Sequence, residues 1–170
     1  MRTRAHGRCP LTGRSERLEP GTGRRLDVYA ALVLRIGLGA VFVAHALAKL
    51  VVFTLPGTAA FFEAHGFPGW TAYPIFGIEL VGGGLLLAGL WTRIVSATLL
   101  PVMAGAWLVH WPNGWSFTAP NGGWEYVAFL SVALVAQGLL GDGAWALSSR
   151  LTREPRHAMP KPDTGRAAAA

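Results

Sequence analysis

The sequence predicts an all-α protein, an integral membrane bundle of four helices with both termini on the cytoplasmic side. Three observations carry that expectation. Four apolar segments have the length needed to cross a hydrocarbon core, about 20 residues at a rise of 1.5 Å. Charge is nearly absent between the two ends of the chain: 52% of residues are hydrophobic and only 14% are charged, where a soluble domain carries about a quarter. Lys and Arg also alternate in presence from one connection to the next.

Taken in order, residues 1–26 form a basic tail holding seven of the 15 Lys and Arg residues. It is polar and rich in Gly and Arg, so disorder is expected there. About 26 polar residues precede any apolar stretch, which does not fit a cleaved signal peptide. The lone cysteine, Cys9, lies in this tail, and one thiol allows neither an intramolecular disulfide nor a CxxC pair.

The membrane domain is expected over 27–147, with spans at about 28–51, 73–91, 94–111 and 124–141. Gly/Pro-rich breaks such as FPGW and WPNGW punctuate them. Pro101 falls inside the third span, where neighbouring helices tolerate a kink. The 52–72 connection is too broken to span. Its Ala59, Phe61, Phe62 and Phe67 predict a short amphipathic piece in the outer interface between helices 1 and 2, with Glu63 and His65 solvated. The final segment, 148–170, is again basic and Pro-rich, and disorder is expected.

Orientation follows from the basic residues. The two tails and the turn at Arg93 hold 13 of the 15, while the 52–72 and 112–123 connections hold none. The positive-inside rule then puts both termini in the cytoplasm. Trp91, Trp111 and Trp124 fall at span ends, where amphipathic rings favour the interface. The pI near 10.4 thus reflects two tails suited to anionic headgroups. No interleaved basic and aromatic surface points to nucleic acid.

The first span carries Arg35, His45 and Lys49. At 100° per residue they share an arc of about 80°, opposite the small residues Gly37, Ala40, Ala44 and Ala48. Exposing Arg to lipid at a helix centre costs about 2.5–3.5 kcal/mol, so the basic face should turn inward and the small face should pack closely on a neighbour. Gly82-Gly83-Gly84 reads as another packing surface. Depth selects partners. Glu79, His110 and Glu125 all fall in the outer half with His45 and Lys49, whereas Arg35 lies in the inner half within reach of Gln137 or Asp142.

This pattern has a structural reading, in which buried charges pair to hold the bundle. Its functional reading is an outer-half pocket in which His45, Glu79, His110 and Glu125 transfer protons, while Arg35, Lys49 and Trp107 contact substrate. Trp107, Trp115 and Phe117 suit either a quinone site or interface anchoring. No metal is expected, because the donors lack an HxxxH-like local spacing.

The stretches LRIGLGAVFVAHALAKL, ELVGGGLLLAGLWTR (79–93), HWPNGW with GGWEY (110–126) and GDGAWAL (141–147) resemble the DoxX family over residues 31–147. That resemblance implies a four-helix protein of the bacterial plasma membrane. Some relatives are subunits of thiosulfate:quinone oxidoreductase, and others belong to membrane assemblies that handle thiol or oxidative stress. The chain departs from the family at GDGAWALSS, where members often have an Asp after the corresponding Leu. Its membrane core has no cysteine, so sulfur chemistry would require an external thiol.

Three functions are ranked on this basis. The first is a redox-associated subunit that places a quinone or a small sulfur or thiol substrate near the pocket. Nothing ligates flavin, haem or an iron–sulfur cluster, so electrons would pass between substrates or through a membrane or soluble redox partner. The second is a non-catalytic scaffold or accessory subunit, and the third a small-solute exporter. The lipid bilayer is the expected partner, and a homo-oligomer stays open.

Overall fold

The computed structural model describes residues 20–151. Cys9 and most of both tails lie outside the described residues. Among the described residues the fold is all helical. Helix α1 (Pro20–Leu47) begins ahead of the expected span and continues as a π-helical turn over Ala48–Val52. Thr54 then turns the chain with φ 61°, its hydroxyl accepting the Gly57 N–H (3.2 Å) at the start of α2 (Leu55–Ala64). That helix is the expected amphipathic piece. A 3₁₀ turn, Gly69–Thr71, leads into α3 (Ala72–Ala88), followed by α4 (Thr92–His110), α5 (Glu125–Leu140) and the short α6 (Leu147–Leu151).

Counting the turns that extend them, three helical segments are long and apolar enough to cross a membrane: Arg25–Val52, Gly69–Ala88 and Thr92–Asn113. α5 is apolar but has 16 residues, about 24 Å at 1.5 Å per residue. Helix α4 runs through Pro101 without a break.

The four long helices form a ring, with α1 against α3, α3 against α4, α4 against α5 and α5 against α1. Its core holds Leu38, Phe42, Leu86, Leu99, Leu130 and Leu134. α1 and α3 approach backbone to backbone. A Cβ on Gly39 would meet the Gly83 carbonyl oxygen at 2.8 Å, and one on Gly83 would meet the Gly39 carbonyl oxygen at 2.9 Å. The expected surface over Gly82 and Gly83 is therefore buried, while Gly84 is exposed. The expected small face of α1 is corrected: Gly37, Ala40 and Ala44 are exposed, and Gly39 makes the close approach.

Helix α3 ends at Gly89, whose φ of 69° lets the Leu90 N–H reach Leu85 O (3.0 Å) and its own N–H reach Leu86 O (3.1 Å). This is the glycine-terminated arrangement that satisfies final carbonyls. A side chain there would also collide with the Arg35 guanidinium.

Candidate functional site

A cavity of about 570 Å³ opens between the helices at the α2 end of the bundle. Its wall is mostly apolar, with Phe53, Phe61, Phe62 and Phe67 contributed by α2 and its flanks. Ionisable side chains enter from three helices: His45 and Lys49 from α1 and its π turn, Glu79 from α3, and His110 from α4. The lining residues His45, Phe53, Phe61 and Tyr126 are exposed, which puts the mouth among α1, α2 and α5.

The sequence brings these groups together through helix geometry. The π turn adds a residue to the α1 winding at Ala48–Val52, and single π turns are frequent at functional sites. Lys49 sits in it and donates to Glu79 Oε2 at 2.6 Å. Glu79 is 4% exposed, so the ammonium meets a carboxylate that would otherwise be buried alone. Glu79 Oε1 has no protein partner among the described residues.

Both histidines are oriented by backbone. His45 Nδ1 lies 2.8 Å from Val41 O, one turn earlier on its own helix. His110 Nδ1 lies 2.9 Å from Gly122 O, in the loop before α5. That loop is held by Trp124 N–H to Gly114 O (3.1 Å) and by Asn113 Nδ2 to Gly122 O (2.9 Å). The ring of His45 stacks on Tyr126, with centroids 6.1 Å apart and planes 18° apart.

Three predicted site residues lie elsewhere. Glu125 is turned to the loop, where its Oε2 accepts the Phe117 N–H at 3.2 Å. α5 instead presents Tyr126, one step of about 100° round the helix, together with Val127 and Leu130. Trp107 belongs to an aromatic cluster, its centroid 4.9 Å from Trp124 and 5.7 Å from Trp111. Trp115 meets Trp124 edge-on at 4.4 Å.

Arg35 is 14 positions before Lys49, about 21 Å along a helix. It is 2% exposed and serves the opposite end. Its guanidinium donates to Asp142 O at 2.9 Å and to Ala144 O at 3.3 Å, clamping the chain after α5. Asp142 extends the clamp: Oδ1 accepts the Thr92 N–H (3.2 Å) at the start of α4, and Oδ2 accepts the Ser148 hydroxyl (2.6 Å) on α6. Gln137, the other expected partner, instead donates to Gly141 O at 2.8 Å. Among the described residues no group of three or more His, Cys, Asp or Glu side chains could hold a metal ion.

Tyr126 is the titratable lining residue that sequence reasoning missed. Its signal was present in the dipeptide Glu125–Tyr126, but the rotation of α5 decides which of the two faces inward.

Residues 30–111 match the DoxX family model. A stretch of 75 residues is 41% identical to a Bacillus subtilis (strain 168) protein whose name reads "Putative oxidoreductase CatD". The match covers 44% of this chain and 54% of that protein, so it spans about half of the relative's length. No solved structure matches.

Proposed function

We propose that this chain, a multi-pass membrane protein whose residues 30–111 match the DoxX family model, is a redox-associated membrane subunit of that family. It holds a quinone-type ring or a small thiol or sulfur compound in the cavity at the α2 end. One observation carries the reading. An apolar cavity of about 570 Å³ has His45, Lys49, Glu79 and His110 in its wall. Ligand sites are typically 300–1,000 Å³, mostly apolar, with a few convergent polar groups. The aromatic rings suit a planar ligand, and the imidazoles and carboxylate suit proton exchange with it. The name of the Bacillus relative points the same way. With the basic tails in the cytoplasm of a bacterial plasma membrane, this cavity faces the outer half of the bilayer.

A second reading is favoured by the 2.6 Å ion pair: Lys49 and Glu79 neutralise each other, as they would in a non-catalytic accessory subunit. Purification with native lipids, followed by mass spectrometry of bound small molecules, separates the two. Wild type is expected to carry a quinone or thiol compound. His45→Ala and Glu79→Gln are expected to lose it while keeping a cooperative thermal transition. No bound compound, together with unfolding of both variants, would leave the accessory reading standing.

A further inference from the structure

The cavity has a preference that follows from its hydrogen bonds. Val41 O and Gly122 O are carbonyl oxygens and can only accept. The facing nitrogens, Nδ1 of His45 and Nδ1 of His110, must therefore carry hydrogen. In a neutral imidazole the other nitrogen is then an acceptor. Neither Nε2 has a partner among the described residues. Glu79 adds Oε1 as a third acceptor, since its Oε2 is taken by Lys49. Thr58, also in the wall, spends its hydroxyl hydrogen on Thr54 O at 2.9 Å.

On the donor side, Lys49 gives one N–H to Glu79, and its two others serve hydroxyl and carbonyl oxygens alike, so they do not discriminate between the two. Tyr126 supplies one hydroxyl, which can turn either way. Acceptors on α1, α3 and α4 thus belong to residues lining one cavity, whose remaining wall is mostly apolar and aromatic. A ligand offering only carbonyl oxygens would bond none of those acceptors, and a site built to bond a hydroxyl rejects the analogue that lacks it.

We infer that the cavity selects its ligand in the reduced, hydrogen-donating form: a dihydroxy-aromatic ring whose hydroxyls are received by His45 Nε2 and His110 Nε2. This rests on the reading that the cavity binds a redox ring, and it adds which redox state is held.

The test uses the full chain in lipid nanodiscs under anaerobic conditions, with equilibrium dialysis of three matched probes. These are 2,3-dimethoxy-5-methylhydroquinone, the corresponding benzoquinone, and the hydroquinone's dimethyl ether. The hydroquinone is expected to bind at least about tenfold more tightly than the other two, as one or two added hydrogen bonds allow. His45→Phe keeps a ring against Tyr126 but removes the acceptor, and His110→Phe does so from α4. Each is expected to shrink the preference for hydroquinone over dimethyl ether severalfold, and a cooperative thermal transition reports that the variant still folds. Equal or tighter binding of the benzoquinone would overturn the inference and keep the redox-ring reading. Binding of none of the three would overturn that reading as well.

Discussion

Lys49 and Glu79 meet at 2.6 Å with side-chain exposures of 17% and 5%, so the two ends of the pair differ in what they lose on separation. Removing Lys49 strands a buried carboxylate, whereas removing Glu79 leaves an ammonium that still touches solvent. Breaking a buried pair from one side costs about 3–5 kcal/mol, and replacing both partners with apolar residues is often near neutral. Lys49→Met is therefore expected to lower stability more than Glu79→Met, and Lys49→Met/Glu79→Met to recover most of the loss. Thermal unfolding of the four proteins in one detergent checks the cycle; strictly additive losses would show that the pair is not coupled. These two residues, with His45 and His110, were legible in the sequence because intramembrane ionisable groups must find each other at shared depth. Tyr126 was not, since choosing it over Glu125 requires the rotation of α5. That rotation is set by Val127, Leu130, Ala133 and Leu134 packing into the core. Trp107 does not line the cavity: its ring joins Trp111, one turn further along, and Trp124, brought back by the loop before α5.

Helix α1 shows how a face is chosen. Counting 100° per residue from Arg35, the buried Leu38, Gly39, Phe42 and Ala46 fall at about 300°, 40°, 340° and 20°. The packing face and the basic face are thus one arc, and His45, at about 280°, sits on its edge and forms part of the cavity rim. Expecting the small residues opposite to make the close contact treated the two faces as rivals, yet a glycine beside Arg35 serves both. At the other end of the bundle, Asp142 joins the start of α4 to α6. Burial raises its pKa, but hydrogen bonds from Ser148 and Thr92 and the nearby Arg35 charge outweigh this and hold it below the usual carboxylate value. A depressed folded-state pKa contributes stability above the unfolded value, near 3.9, and that contribution is lost as pH falls through the folded value. Asp142→Asn is accordingly expected to lower Tm at neutral pH, with the gap from wild type closing below about pH 4. A gap unchanged from pH 7 to pH 3 would remove the ionised carboxylate from the account. The sequence placed Asp142 within reach of Arg35, but not its bonds to Thr92 and Ser148, which depend on the loop clamped by Arg35.

For the whole molecule, the bundle has two chemically unlike ends. At the α2 end lie the cavity, the tryptophan cluster and connections without Lys or Arg; at the α6 end lie Arg93, the Arg35–Asp142 clamp and the approaches to both basic tails. Positive connections are retained on the cytoplasmic side, so the proposed orientation sets the α2 end outward. That orientation calls for four crossings, so under it α5 would cross although its 16 residues reach only about 24 Å against a core of about 30 Å. A short span is accommodated by local thinning or by flanking aromatic residues at modest cost. Here Trp124 immediately precedes α5, and Trp145 lies 74% exposed just beyond it. A periplasmically active reporter fused after Asn113 is therefore expected to be active, and the same reporter after Arg150 silent. Activity at both sites would mean that α5 does not cross, returning the C-terminal segment to the outer face. Activity only after Arg150 would invert the bundle, and the cavity would then draw its ligand from the cytoplasmic leaflet.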